Sequence, residues 1–99
     1  MINHVVLFKL KDYPAEKKQK IVSELKEMLL SLKEKINELK YLEVGENYDL
    51  DAKSYDVALI SHFESLEDLD SYRVHPEHQK VVKYVGEVTE ERAAVDFRF

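Results

Sequence analysis

The sequence predicts an α+β fold in the element order β-α-β-β-α-β, with four antiparallel strands carrying helices on one face. Three observations point there. Residues 2–10, 55–63 and 92–98 are strand-like runs with two-residue alternation. A long apolar repeat at three- and four-residue spacing follows the first run. A shorter helical segment, interrupted by Pro76, precedes the last.

In the first strand His4, Val6, Phe8 and Leu10 share one side, and Val5, Leu7 and Lys9 share the other. Both sides are largely apolar, so both are expected to be covered. Asp12-Tyr13-Pro14 ends the strand, and Pro14 with Glu16 suits the first turn of a helix over about residues 14–37. Ile21, Leu25, Met28, Leu32, Ile36 and Leu39, with Leu29 beside them, form its buried stripe. Its lysines and glutamates read as a solvated face. Residues 41–48 are expected as a second strand, with a bulge or close backbone approach at Gly45.

Residues 49–54 read as a polar, mobile loop, and two aspartates, Asp49 and Asp51, are too few to cage a cation. The third strand, 55–63, sets Tyr55, Val57, Leu59, Ser61 and Phe63 against Asp56, Ala58, Ile60 and His62. Ser65 is a good N-cap for the next helix. That helix must yield at Val74-His75, because a residue before proline is pushed out of the helical region. Pro76 then opens a further helix to about Gly86, and 92–98 close the sheet with Val95, Phe97 and Phe99 on one side.

With right-handed crossovers this order gives a ferredoxin-like βαββαβ unit, a single domain over residues 1–99. Its helix-free face would carry Val5, Leu7, Ala58, Ile60, Val95 and Phe97, with no element left to cover them. Exposed apolar surface costs roughly 25 cal/mol per Å². Pairing sheet to sheet in a two-fold homodimer, a dimeric α/β barrel, removes that cost.

Composition bounds the function. With no cysteine there is no disulfide, thiolate nucleophile or thiolate-bound metal. A net charge of −5 and the absence of a basic stripe argue against nucleic acid as a partner. No apolar run approaches a membrane span, and Met1-Ile2-Asn3-His4 does not open a signal peptide, so a cytoplasmic location is expected.

The chemistry concentrates in Tyr72-Arg73-Val74-His75-Pro76-Glu77-His78, which holds two of the four histidines. Histidine is the one side chain that titrates near neutrality unperturbed. A neutral His78 can take a proton from carbon beside a carbonyl while the Tyr72 hydroxyl donates to the developing enolate, with no metal or cofactor. The plainer alternative is structural: His75 caps the following helix, Pro76 ends the preceding one, and Tyr72 and His78 satisfy each other. A metal site built from His4, His75 and His78 is a weaker alternative, since Pro76 disturbs the helical spacing and no carboxylate has an obvious supporting role.

These stretches resemble the stress-responsive dimeric α/β-barrel (Dabb) family over nearly the whole chain. The matching pieces are Ile2 to Lys11, Phe63 to Leu69, Tyr72 to His78 and Val95-Asp96-Phe97. The family includes olivetolic acid cyclase-type polyketide cyclases, whose motif tyrosine and last histidine act in an intramolecular aldol condensation. The resemblance implies catalytic roles for Tyr72 and His78 and a cavity lined by His4 and His75. Val6, Phe8, Leu59 and Val82 complete the expected ligand-binding set. Where the cyclase builds its pocket walls with several bulky aromatics, the comparable stretches here carry Ile21, Val22, Leu25, Val81, Val82, Tyr84 and Thr89, and Arg92 and Arg98 add charge unsuited to an alkyl tail. The expected function is binding of a small carbonyl-containing molecule with cyclase- or isomerase-type acid–base activity. The alternatives are a noncatalytic stress-related ligand carrier or structural dimer, and a cofactor-independent monooxygenase of the wider superfamily.

Overall fold

A computed structural model describes residues 1–50 and 53–99; Asp51 and Ala52, part of the loop expected to be mobile, lie outside the described residues. The elements are β1 (Ile2–Leu10), α1 (Ala15–Lys35), β2 (Tyr41–Glu46), β3 (Val57–Phe63), α2 (Leu66–Val74), α3 (Pro76–Val88) and β4 (Thr89–Arg98). The sheet order is β2-β3-β1-β4, antiparallel at every pairing. This is the ferredoxin-like arrangement, with the second helix split at His75-Pro76.

Helix α1 buries Ile21, Val22, Leu25, Leu29 and Leu32. These meet the inward side of the sheet, where Val6, Phe8, Leu10, Val57, Leu59 and Phe63 are buried. Helix α2 begins where Ser65 Oγ accepts the Asp68 amide at 3.1 Å. It contributes Leu69 and Tyr72 to the core, and α3 contributes Val81, Val85 and Val88. Burying each aliphatic side chain is worth roughly 1.5–3 kcal/mol, and this single layer is what holds helices to sheet.

Four local readings are corrected. Gly45 makes no bulge: it pairs with Ala58 in unbroken register, its φ is not positive, and a Cβ there would meet nothing within 4 Å. The irregularity lies instead between Lys9 and Leu10, opposite the start of β4. Strand β4 starts at Thr89 rather than 92, because α3 passes into it directly at Val88. Asp56 does not stand with Ala58 on the outer side. It precedes β3, is only 2% exposed, and its carboxylate accepts the Leu10 amide at 2.8 Å. Tyr55 also precedes the strand and reaches Glu91 through its hydroxyl.

Register orders the outer side of the sheet into rows. Gly45, Ala58, Leu7 and Ala93 form one, Glu43, Ile60, Val5 and Val95 the next, and Tyr41, His62, Asn3 and Phe97 a third. Leu7, Val95 and Phe97 are 36%, 56% and 45% exposed, so no helix covers this face. His62 lies here between the rings of Tyr41 and Phe99. Among the described residues, no helix is long and apolar enough to cross a membrane.

Candidate functional site

The helix-facing rows place the chemistry. His4 pairs with Ser61 on one side and Asp96 on the other, and Phe8 pairs with Val57 and Arg92. Helices α1, α2 and α3 close over these rows and leave a cavity of about 390 Å³. Its apolar wall is Val6, Phe8, Leu29, Leu59, Val81, Val82 and Val85, and its polar wall is His4, His78, Arg73, Arg92 and Thr89. That volume and lining suit a small ligand with an apolar body and one polar group.

His4 is buried at the polar end. Its Nδ1 meets Asp96 Oδ1, while Asp96 Oδ2 accepts Arg73 at 2.7 Å. A carboxylate can only accept here, so the His4 Nδ1 carries the hydrogen and its Nε2 is left as a lone pair. Burial pulls the His4 pKa below its ordinary value, with the Asp96 bond opposing that pull without overcoming it. Burial alone would raise Asp96, but the bonds from His4 and Arg73 outweigh it and hold the carboxylate below its usual range.

His78 sits in the first turn of α3, where Pro76 fixes the entry of the chain. Its Nδ1 faces the Arg73 carbonyl at 3.1 Å. The carbonyl accepts only, so here too Nδ1 is protonated and Nε2 is the free lone pair. Burial lowers the His78 pKa, and the charges of Arg92 and Arg73 push the same way. Both imidazoles are therefore neutral at pH 7.

Tyr72 packs against His78 with ring centroids 4.2 Å apart, and against Phe63 at 4.9 Å. Its side chain is fully buried, and no protein group bonds to its hydroxyl. Burial pushes its pKa up to about 12, so it is a phenol and a donor, never a base near neutrality. It stands behind the cavity wall rather than on it.

Of the residues singled out by sequence, the structure brings His4, Val6, Phe8, Leu59, His78 and Val82 together along this cavity. Tyr72 backs His78. His75 is not on the wall: pushed to extended backbone by Pro76, it caps α3, and its Nδ1 accepts the Glu77 amide at 3.1 Å. Among the described residues, no group of three or more metal-ligating side chains stands together. The supporting carboxylate that sequence reasoning did not find is Asp96. Its signal was the alternation Val95-Asp96-Phe97, which sets a lone acid on the inward side.

Comparison with known proteins matches residues 2–99 to the stress-responsive A/B barrel domain, Dabb. The chain belongs to the Dabb family. The Dabb-containing protein DABB1 of Arabidopsis thaliana, a stress-response A/B barrel domain-containing protein, is 31% identical over 102 residues. That match covers 98% of this chain and 46% of DABB1, so the chain spans about half the length of its curated relative. A dimeric, ferredoxin-like protein of unknown function from Bacteroides fragilis superimposes on this Dabb chain with a TM-score of 0.91 at 38% identity. The match covers 99% of this chain and 95% of that one. Hydroxynitrile lyase from Passiflora edulis gives a TM-score of 0.81 at 18% identity over 97% and 90% of the two chains, a likeness of fold alone.

Proposed function

We propose that this Dabb protein is a homodimer, paired through the helix-free sheet face, whose subunits each bind a small carbonyl-containing molecule in the cavity beneath the helices. We further assign the site acid–base chemistry of the cyclase or isomerase type. The observation that supports this most is a neutral, carbonyl-anchored His78 on the polar wall of a partly apolar cavity, backed by the ring of a protonated Tyr72. The fold hosts many chemistries, so the side chains and not the fold bear the weight of the reading.

In that reading the His78 Nε2 lone pair takes the proton from carbon beside the carbonyl. The electron pair moves onto the carbonyl oxygen, and a hydrogen-bond donor stabilises the enolate. Attack of the enolate carbon on a second carbonyl gives a cyclase; reprotonation at another atom gives an isomerase. His4, oriented by Asp96, supplies a second lone pair in the same cavity. General acid–base assistance of this kind is worth about 10²–10⁴ in rate.

The full burial of the Tyr72 hydroxyl favours one other reading, a ligand carrier in which Tyr72 only supports the His78 ring. His78→Gln separates the two. In an enzyme it cuts turnover by orders of magnitude with little loss of ligand affinity; in a carrier only affinity is there to be read, and it is kept. Mass spectrometry of small molecules retained on protein purified from its host names the ligand to use. A cavity that never retains or binds a small molecule would sink both readings, and sedimentation showing a folded monomer at micromolar concentration would sink the dimer.

A further inference from the structure

The polar wall of the cavity carries one cation that no described residue neutralises. Arg73 is bonded to Asp70 at 3.2 Å and to Asp96 at 2.7 Å. Arg92 lines the same cavity from β4, and among the described residues it makes no ion pair or side-chain hydrogen bond. The acids near it are engaged elsewhere. Glu91 points to the other side of the sheet and bonds Tyr55, and Asp96 is held between His4 and Arg73.

Burial dominates the proton affinities of His4, His78 and Tyr72, but the charge of Arg92 also acts on all three. The guanidinium lines the same cavity as both imidazoles. A chain of net charge −5 thus carries a spare positive charge, unpaired among the described residues, on the wall of this cavity. Guanidinium is planar, permanently charged and matched to a carboxylate by two parallel hydrogen bonds.

We propose that the cavity selects organic anions: a carboxylate-bearing molecule that seats its carboxylate on Arg92 and its apolar body against Phe8, Leu29, Val82 and Val85. This rests on the reading of the cavity as a small-molecule site and narrows it. Within that reading, a 2-oxo acid places its ketone between the carboxylate and the apolar tail.

The test uses straight-chain and phenyl-substituted 2-oxo acids and their methyl esters, titrated calorimetrically into the intact protein. The acids are expected to bind at least about tenfold more tightly than the esters, a preference that shrinks as salt is raised. Arg92→Gln is expected to erase the preference while ester binding persists, and Arg92→Lys to keep part of it. Arg98→Gln, which removes the same charge from the same side of β4 outside the cavity, is expected to change nothing. Equal binding of acids and esters by the unaltered protein, or a preference that survives Arg92→Gln, overturns the proposal and leaves the cavity reading intact. Failure of every acid and ester to bind overturns both.

Discussion

Replacing Tyr72 with phenylalanine is expected to make the protein more stable, not less. Removing a tyrosine hydroxyl ordinarily breaks a hydrogen bond and costs about 1 kcal/mol. Here the side chain is fully buried, and no protein group bonds to its oxygen. A buried polar group without a partner costs roughly 1–3 kcal/mol, so deleting it should return a share of that, about 1 kcal/mol. The aromatic contacts with Phe63 and His78 involve the ring and survive the change. For a domain of this size, 1 kcal/mol moves the melting temperature by roughly 4–8 °C. Urea unfolding at a fixed protomer concentration, with unchanged slope, reads the same quantity as a higher midpoint. If the hydroxyl also donates to a bound ligand, the stabilised variant will bind or turn over that ligand less well. A loss of about 1 kcal/mol or more on making Tyr72→Phe would refute the claim that this hydroxyl is unpartnered, and with it the idea that it is held in reserve for a ligand.

Asp56→Ala leaves the buried Leu10 amide without its acceptor and should cost about 1–3 kcal/mol in urea unfolding, with Asp56→Asn recovering part. Because burial sets His4 and His78 below their unfolded pKa of 6.5, the unfolded chain takes up protons first as the pH falls. Their contribution to stability is therefore complete above about pH 6.5 and is lost below it. Urea midpoints measured from about pH 7.5 down to about pH 5 should fall, and less steeply in His78→Gln. Val95→Asp puts a carboxylate in the middle of the uncovered sheet face and should convert dimers to monomers in sedimentation velocity runs.

Strand β1 and helix α1 were legible because each has a clear period, whereas α2 was legible from its Ser65 cap. His4, Val6 and Phe8 alternate with Val5 and Leu7, and the α1 stripe recurs every three or four residues. The break at His75-Pro76 was legible from proline sterics alone. What could not be read was register. Asp96 is one of 20 acidic residues, and only the pairing of β1 with β4 sets it opposite His4. The same pairing seats Arg92 beside Phe8 and turns a surface arginine into a cavity wall. Gly45 misled for a related reason. A glycine inside a strand usually marks a backbone irregularity, yet here it only shortens the row shared with Ala58, Leu7 and Ala93.

Strand β1 is the second strand from one edge of the sheet, and both neighbours come from far along the chain, residues 57–63 and 89–98. Its hydrogen bonds on either side therefore close loops of roughly half and nearly all of the described length, which makes for slow, high-contact-order folding. During synthesis β1 emerges before both neighbours, and the edge that β4 will pair stays open until β4 leaves the ribosome. His4 acquires Asp96 only at that last step, so a chain stalled short of β4 holds every histidine and no assembled site.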